Sequence, residues 1–406
     1  MKSEIRVAIV GLGNCAKSLV EGVALYSHTD RTDGLAFESI GGYKAEHIKF
    51  VLCYDVDTRK VGRPLNKAIL GKPNCAMDIL SPATSPGNSY EELIQRVCDG
   101  PVEVKRGKLL DGVAPHMLDM PEDESFRVTK DPEPGMREVV RDLKEANVDV
   151  LLNYLPVGSE EATRFYVKAC LKAGVPFVNC MPVFIVSDPF WEEKLKEAGI
   201  PAIGDDMRSQ LGASVVSQAL QELFFNRGMD IQFHCQTNVG GNTDFLNMMD
   251  QGRLASKKIS KENVIRSQND LRGVDVPKHG IYAGPSSYIP FHGDNKVANF
   301  RIEATGFGGA PVIFDARLSV QDSPNSGGVV VDAIRYLQVA REMGLTGSLR
   351  GPSAATQKTP PTQMMIQDAH EECKALAMRI LTPSLRKHNL PPGHSESLDS
   401  MLDSLQ

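Results

Sequence analysis

Ile5-Arg6-Val7-Ala8-Ile9-Val10-Gly11-Leu12-Gly13-Asn14-Cys15-Ala16 is the stretch on which the reading of the fold turns. Residues 5–10 form a short apolar run of the β type, and residues 17–26 carry a helical pattern. Between them stands Gly-x-Gly-x-x-Ala. In a strand–turn–helix unit of this kind the first glycine permits the tight turn. The second lets backbone approach a pyrophosphate, and the alanine allows close packing of helix on strand. The N–H groups at the start of the helix then meet the phosphate charge. Gly11, Gly13, Asn14, Cys15 and Ala16 are therefore candidate dinucleotide-binding residues. Taken alone, the short pattern also fits a bare structural turn. For Cys15, small-residue packing competes with an acidified thiol at a helix start.

The next apolar run, residues 48–54, closes on Asp55. A carboxylate at that strand end can take both ribose hydroxyls of NAD and repels a 2′-phosphate. NAD is therefore favoured over NADP, although Arg59 and Lys60 follow closely and temper that preference; a surface aspartate at a strand end is the alternative. The acid normally lies about 20 residues beyond the turn. Here the separation is about twice that, which requires the polar segment 27–46 to be an insertion.

Regular alternation resumes further on. Helical patterns at 136–146, after Ser159 and after Asp188-Pro189 alternate with buried strands at 148–153, 177–180 and 201–204. This predicts an α/β fold with a Rossmann-like, doubly wound parallel sheet. After about Arg227 the pattern changes to antiparallel strands at 231–237, 298–305 and 311–320, with a helix over 245–254. A long amphipathic helix follows at 327–343. The predicted organisation is a Rossmann-like part over 1–228, an inserted α+β domain over 229–321, a return over 322–382, and a poorly ordered tail over 383–406.

Composition narrows the function classes. The chain has 406 residues, 41% of them apolar, and a net charge of −6. Two or three domains are expected at roughly 150 residues each. No block of Lys and Arg marks a nucleic-acid surface. No apolar run approaches the roughly 20 residues of a membrane helix, and none resembles a signal peptide. The eight cysteines are scattered without a C-x-x-C, which suits a reducing cytoplasm. The nine histidines form no H-E-x-x-H motif, so no structural zinc site is expected.

Downstream, Asn238-Val239-Gly240-Gly241-Asn242-Thr243-Asp244 precedes Ser256-Lys257-Lys258-Ile259-Ser260-Lys261. Lys257 and Lys261 are four apart and share a helix face. Two adjacent ammonium groups repel, so one pKa is expected to fall, and such a lysine can serve as acid or base. Spacing alone also fits a solvated basic face.

The ordered set of motifs resembles the myo-inositol-1-phosphate synthase family. It includes the two runs above, Gly204-Asp205-Asp206, Gly293-Asp294-Asn295-Lys296, Asp322-Ser323-Pro324-Asn325, and Lys358 before Pro360-Pro361. Leu155 to Glu161 and Met181-Pro182-Val183-Phe184 resemble the short bacterial form. The resemblance implies a Rossmann-like domain split by a catalytic and oligomerisation domain, a homotetramer, and NAD as cofactor, with a divalent or monovalent cation of unsettled identity near its phosphates. It implies conversion of glucose 6-phosphate to inositol 1-phosphate by oxidation at C5, enolisation, aldol closure and reduction, with NAD regenerated.

By the same resemblance Lys257, Lys261, Lys296 and Lys358 are the catalytic lysines. Lys257 and Lys358 are expected near O5, and Lys261 and Lys296 toward O1 and the phosphate. Ser209, Asn242 and Asp244 are expected to bind substrate, and Asp322 to lie near the nicotinamide. Arg208 stands where the family more often has lysine, keeping a charge for the phosphate with a wider donor fork. An ordinary NAD-dependent dehydrogenase would share the glycine turn and Asp55 but would not need four converging lysines. A non-catalytic scaffold derived from the family would be signalled by a missing lysine, and all four are present.

Overall fold

The computed structural model describes residues 2–274 and 280–391, the side chains of residues 251, 254–258, 285 and 286 excepted. Eleven strands occur among them: β1 (Ile5–Val10), β2 (Ile48–Asp55), β3 (Val104–Arg106), β4 (Val150–Asn153), β5 (Phe177–Asn179), β6 (Pro201–Ile203), β7 (Asp230–Gly240), β8 (Ile281–Tyr288), β9 (Asn295–Thr305), β10 (Pro311–Gln321) and β11 (Gly347–Ser348). Seven form a parallel sheet in the order β11-β6-β5-β4-β1-β2-β3, and four form a second sheet in the order β10-β9-β7-β8.

The parallel sheet is buried on both faces, which is why its strands read as near-continuous apolar runs. Alternation along each strand divides the core in two. Ile5, Val7 and Ile9 join Phe50, Leu152, Val178 and Ile203 under helices Asn14–His28 and Pro324–Glu342. Ala8 and Val10 join Leu52, Leu151, Phe177 and Ala202 on the other face, under helices Met136–Glu145, Glu160–Ala173 and Pro189–Glu197. The strand order reverses at β1, flanked by β2 and β4. In open α/β sheets that point leaves a crevice at the carboxyl ends of the strands.

The doubly wound expectation holds, and the segment after helix Asn14–His28 accounts for the displaced acid at the end of β2. Two short edge strands, β3 and β11, were not anticipated. Val104-Lys105-Arg106 and Gly347-Ser348 hold a single apolar side chain between them, so no apolar run marks either. In the second sheet β9 pairs antiparallel with β7 and β10, as expected, but β8 is an additional strand parallel to β7. A parallel partner requires a crossover. Helix Gln251–Arg272 provides it. The predicted helix over 245–254 is in fact two helices, Thr243–Asn247 and Gln251–Arg272, each with an aspartate or asparagine cap. At the other end, helix Pro383–Asn389 lies within the region expected to be a disordered tail. Leu385 is in the core and the Asn389 amide donates to Thr346 O at 2.8 Å and Ser348 O at 3.0 Å. Residues 392–406 lie outside the described residues.

The segment preceding β2 is anchored by one buried guanidinium. Arg335 donates to Glu38 O at 2.9 Å, Phe37 O at 2.9 Å and Tyr43 O at 3.2 Å, and pairs with the buried carboxylate of Asp332. Removing one member of a buried pair leaves the other charge uncompensated, at a cost of about 3–5 kcal/mol. Arg335→Met is therefore expected to lower unfolding free energy by about that amount in urea denaturation. Asp332→Asn added to Arg335→Met is expected to recover part of the loss.

Candidate active site

The glycine turn is shaped by its neighbours. Gly11 has φ +92°, and a Cβ there would stand 2.6 Å from the Tyr154 carbonyl oxygen at the end of the adjoining strand β4. Gly13 caps helix Asn14–His28, and a Cβ on it would meet nothing within 4 Å. The second glycine thus faces open space where a pyrophosphate would approach. Ala16 is fully buried against the sheet. Asn14 lines the cleft and also accepts from Cys75 N at 3.0 Å, so it braces the segment crossing the helix start. Burial, reinforced by Asp322 and Asp294, pushes the Cys15 thiol up to about 12, a direction that favours packing over an acidified thiol.

Asp55 is held by three backbone donors: Leu12 N at 2.7 Å, Val56 N at 2.7 Å and Asp57 N at 2.8 Å. These lock the strand end to the turn. The whole group Gly11 to Ala16 and Asp55 opens on one cleft, whose walls also include Tyr54, Lys60, Lys108 and Tyr154.

The same cleft runs on to the end of the second sheet. Antiparallel pairing of Asn295 with Gln321 places the start of β9 opposite the end of β10. Lys296 and Asp322 consequently meet and form an ion pair, both largely buried. The Asn242 amide donates to Asp294 at 3.1 Å and to Asp322 at 3.4 Å, and the Ser323 hydroxyl donates to Asp294 at 2.7 Å. Burial, then the nearby Asp322 charge, raises Asp294 to about 6.

A second lysine is set by pairing of two loops. Asp205 N donates to Thr359 O at 2.9 Å and Lys358 N to Asp206 O at 2.7 Å. The Lys358 ammonium then donates to Asp206 Oδ1 at 2.8 Å and Met207 O at 2.7 Å. The other oxygen of Asp206 accepts from Ser260 on helix Gln251–Arg272 at 2.7 Å. Asp206 therefore ties Lys358 to the helix that carries Lys261, and both lysines line the cleft.

Every sequence-predicted site residue with a described side chain borders this one cleft: Gly11, Gly13, Asn14, Cys15, Ala16, Asp55, Ser209, Asn242, Asp244, Lys261, Lys296, Asp322 and Lys358. The side chain of Lys257, and with it the expected lowering of one pKa beside Lys261, lies outside the described residues. One reading changes. Arg208 is buried, donating to Gln218 Oε1 at 2.6 Å and Gln357 O at 2.6 Å; it braces the residue before Lys358 and is not a cleft wall. Helix Ala213–Asn226 begins four residues beyond Ser209, and Gly212, Ala213 and Ser214 face the cleft with it. Their small size is the signal that could have marked this helix start. Asp206, expected only as part of the Gly204-Asp205-Asp206 motif, is the carboxylate partner of a catalytic candidate. Asp205 does serve structure: it accepts from Ile185 N, Val186 N, Ser187 N, the Ser187 hydroxyl and the Asn179 amide.

The residues fit a dinucleotide. Gly13 leaves room, the helix start offers N–H groups, and the Tyr154 hydroxyl, buried in the cleft wall, lacks a hydrogen-bond partner among the described residues. No group of three or more His, Cys, Asp or Glu able to hold a metal ion occurs among the described residues. No helix among them is long and apolar enough to cross a membrane.

Fold and cleft together define a Rossmann-like α/β enzyme with a cationic, carboxylate-braced pocket at the switch point of its parallel sheet. Residues 212–323 match the family model described as myo-inositol-1-phosphate synthase. The chain is 42% identical over 376 residues to an inositol-3-phosphate synthase of Mycolicibacterium smegmatis, covering 91% of this chain and 96% of that one. It is 40% identical to one of Corynebacterium glutamicum, covering 92% and 98%. A solved structure of a myo-inositol-1-phosphate synthase-related protein from Thermotoga maritima superposes with a TM-score of 0.74 at 25% identity, covering 92% and 98%. The inositol-3-phosphate synthase of Caenorhabditis elegans shares the fold, with a TM-score of 0.68 at 15% identity, covering 97% and 88%. The chain belongs to the myo-inositol-1-phosphate synthase family of enzymes.

Asp294 offers a test of the site's electrostatics. A carboxyl whose folded pKa is raised contributes stability that is fully present below its unfolded value near 3.8 and is lost as pH rises through about 6. The unfolding free energy of the native chain minus that of Asp294→Asn should therefore fall between pH 4 and 6.5, by roughly 1–3 kcal/mol. A difference that stays flat across this range would contradict the burial argument.

Proposed function

We propose that the chain converts D-glucose 6-phosphate to 1L-myo-inositol 1-phosphate with NAD as a regenerated cofactor. The observation that carries the reading is the meeting of Lys261, Lys296 and Lys358 with the glycine turn and Asp55 in one cleft. NAD, bound by Gly11 to Ala16 and Asp55, supplies reversible oxidation at C5. The protein's own contribution is charge and position. Once C5 is a ketone, the proton on C6 is acidic, and its loss puts negative charge on O5. Lys358 and Lys257 stabilise that charge, and a lysine in this wall carries the proton. Attack of C6 on the C1 aldehyde then closes the carbocycle and moves charge to O1, where Lys296 and Lys261 meet it. Fixed cations in a water-poor site stabilise such developing charge more than mobile solvent does.

The carboxylates explain how the cations stay in place. Asp322 and Asp206 hold Lys296 and Lys358 before substrate enters, so little reorganisation remains for the reaction. Asp322 lies near the nicotinamide end, and Asn242 and Asp244 contact substrate. The phosphate takes the start of helix Ala213–Asn226 together with Ser209, since helix N-termini favour anions. Val157, Met181, Phe245 and Met248 form an apolar cluster beside the cleft that limits water.

The division into a Rossmann-like part at 1–228, an inserted domain at 229–321 and a return at 322–382 is part of the same proposal, as is assembly into a cytoplasmic homotetramer through the second sheet. The fully exposed Phe291 and Phe307 on that sheet's connections support association.

The chemistry is checked by incubating the protein with glucose 6-phosphate and catalytic NAD, then assaying periodate-released phosphate and NADH absorbance together. Product without net NADH is expected; accumulating NADH would favour an ordinary dehydrogenase. Lys296→Ala is expected to lower turnover by about 10²–10³-fold or more while NADH binding persists. Near-normal turnover in that variant would overturn the assignment.

A further inference from the structure

Two basic residues follow Asp55, and they have opposite fates. Arg59 is taken up by the buried Asp57 carboxylate, through Nε at 2.9 Å and Nη2 at 2.6 Å, and by Glu122 O and Ser125 O at 2.6 and 2.8 Å. It is not part of the cleft wall. Lys60 is. Its side chain is only 5% exposed, its ammonium donates to Leu12 O at 2.5 Å within the glycine turn, and Asp55 Oδ2 stands 3.9 Å away.

Asp55 has little acceptor capacity to spare. A carboxylate oxygen offers about two acceptor sites. Oδ1 already takes Val56 N and Asp57 N, and Oδ2 takes Leu12 N. One site is left, on the oxygen that faces Lys60. A ribose diol presents two hydroxyls, so Asp55 alone can accept only one of them, and the reading of both hydroxyls on this carboxylate needs revision. The ammonium has three donors and uses one on Leu12, and it is buried against the cleft beside the remaining acceptor.

We propose that Lys60 is a cofactor-selectivity residue that donates to one ribose hydroxyl while its neighbour donates to Asp55. The assignment rests on the dinucleotide reading above. It has a consequence for selectivity: a 2′-phosphate repelled by Asp55 is attracted by the adjacent ammonium, so the pair discriminates against NADP less than a lone carboxylate would.

The test is fluorescence titration of NADH and NADPH against the full chain and three variants. A charge-assisted hydrogen bond to the cofactor predicts that Lys60→Met weakens NADH binding about tenfold or more. It should also raise the ratio of the NADPH to the NADH dissociation constant, which a merely structural lysine would leave unmoved. Lys60→Arg should restore most of the affinity. Unchanged affinities and an unchanged ratio in a folded Lys60→Met protein would overturn the proposal. Should that variant not fold, Lys60→Gln, which keeps a donor for Leu12 O and removes the charge, is expected to raise the ratio likewise; an unchanged ratio there would overturn it equally. A native protein that binds neither coenzyme would sink the dinucleotide reading itself.

Discussion

An ammonium group taken out of water needs a carboxylate beside it, and the cleft is built around two such pairs. Lys296 with Asp322 and Lys358 with Asp206 stand at the ends of quite different elements. Each pair would be poor value as a source of stability, because desolvation offsets much of the attraction. What the pairs supply is placement. They fix where positive charge sits before any ligand arrives, and Asn242 and Ser260 fix the Asp322 and Asp206 carboxylates in turn. The second sheet and the loop pairing at 205–208 with 356–359 are the scaffolding that brings these groups to the carboxyl edge of the parallel sheet.

The parallel sheet was largely legible because its signals are local. A buried strand, a glycine turn and an alternating series of capped helices each show within a dozen residues, and the resemblance to a known family ordered them. The displaced acid at Asp55 even announced the insertion before it. The edge strands β3 and β11 escaped notice because, unlike the equally short β5 and β6, they are not apolar: they read Val-Lys-Arg and Gly-Ser. β8 escaped because a run such as Ile281 to Tyr288, with Gly284 and Pro285 in its middle, carries a weak strand pattern, and only its partner β7 defines it.

For the cleft, the lysines were readable as residue types in a motif, whereas their partners were not. Asp206 stood in a motif with no role of its own attached, because nothing local connects it to Ser260 or Lys358, which lie far along the chain. Arg208 misled for the complementary reason. A cation next to a motif suggests a phosphate ligand, but its burial against Gln218 and Gln357 depends on how two distant segments pair. Long-range hydrogen bonds decide roles that composition can only suggest.

The hairpin of β9 and β10 separates two kinds of sequence change. Its eleven paired positions run from Asn295–Gln321 at the cleft to Pro311–Thr305 at the turn. At about 3.4 Å per residue, that turn lies over 30 Å from Lys296. Relatives can lengthen, shorten or redecorate the remote loop freely, since growth there extends outward. A single residue gained or lost inside either arm would instead shift one strand by one position and turn Lys296 or Asp322 to the opposite face of the sheet. Length variation should therefore accumulate at the tip and be purged from the arms.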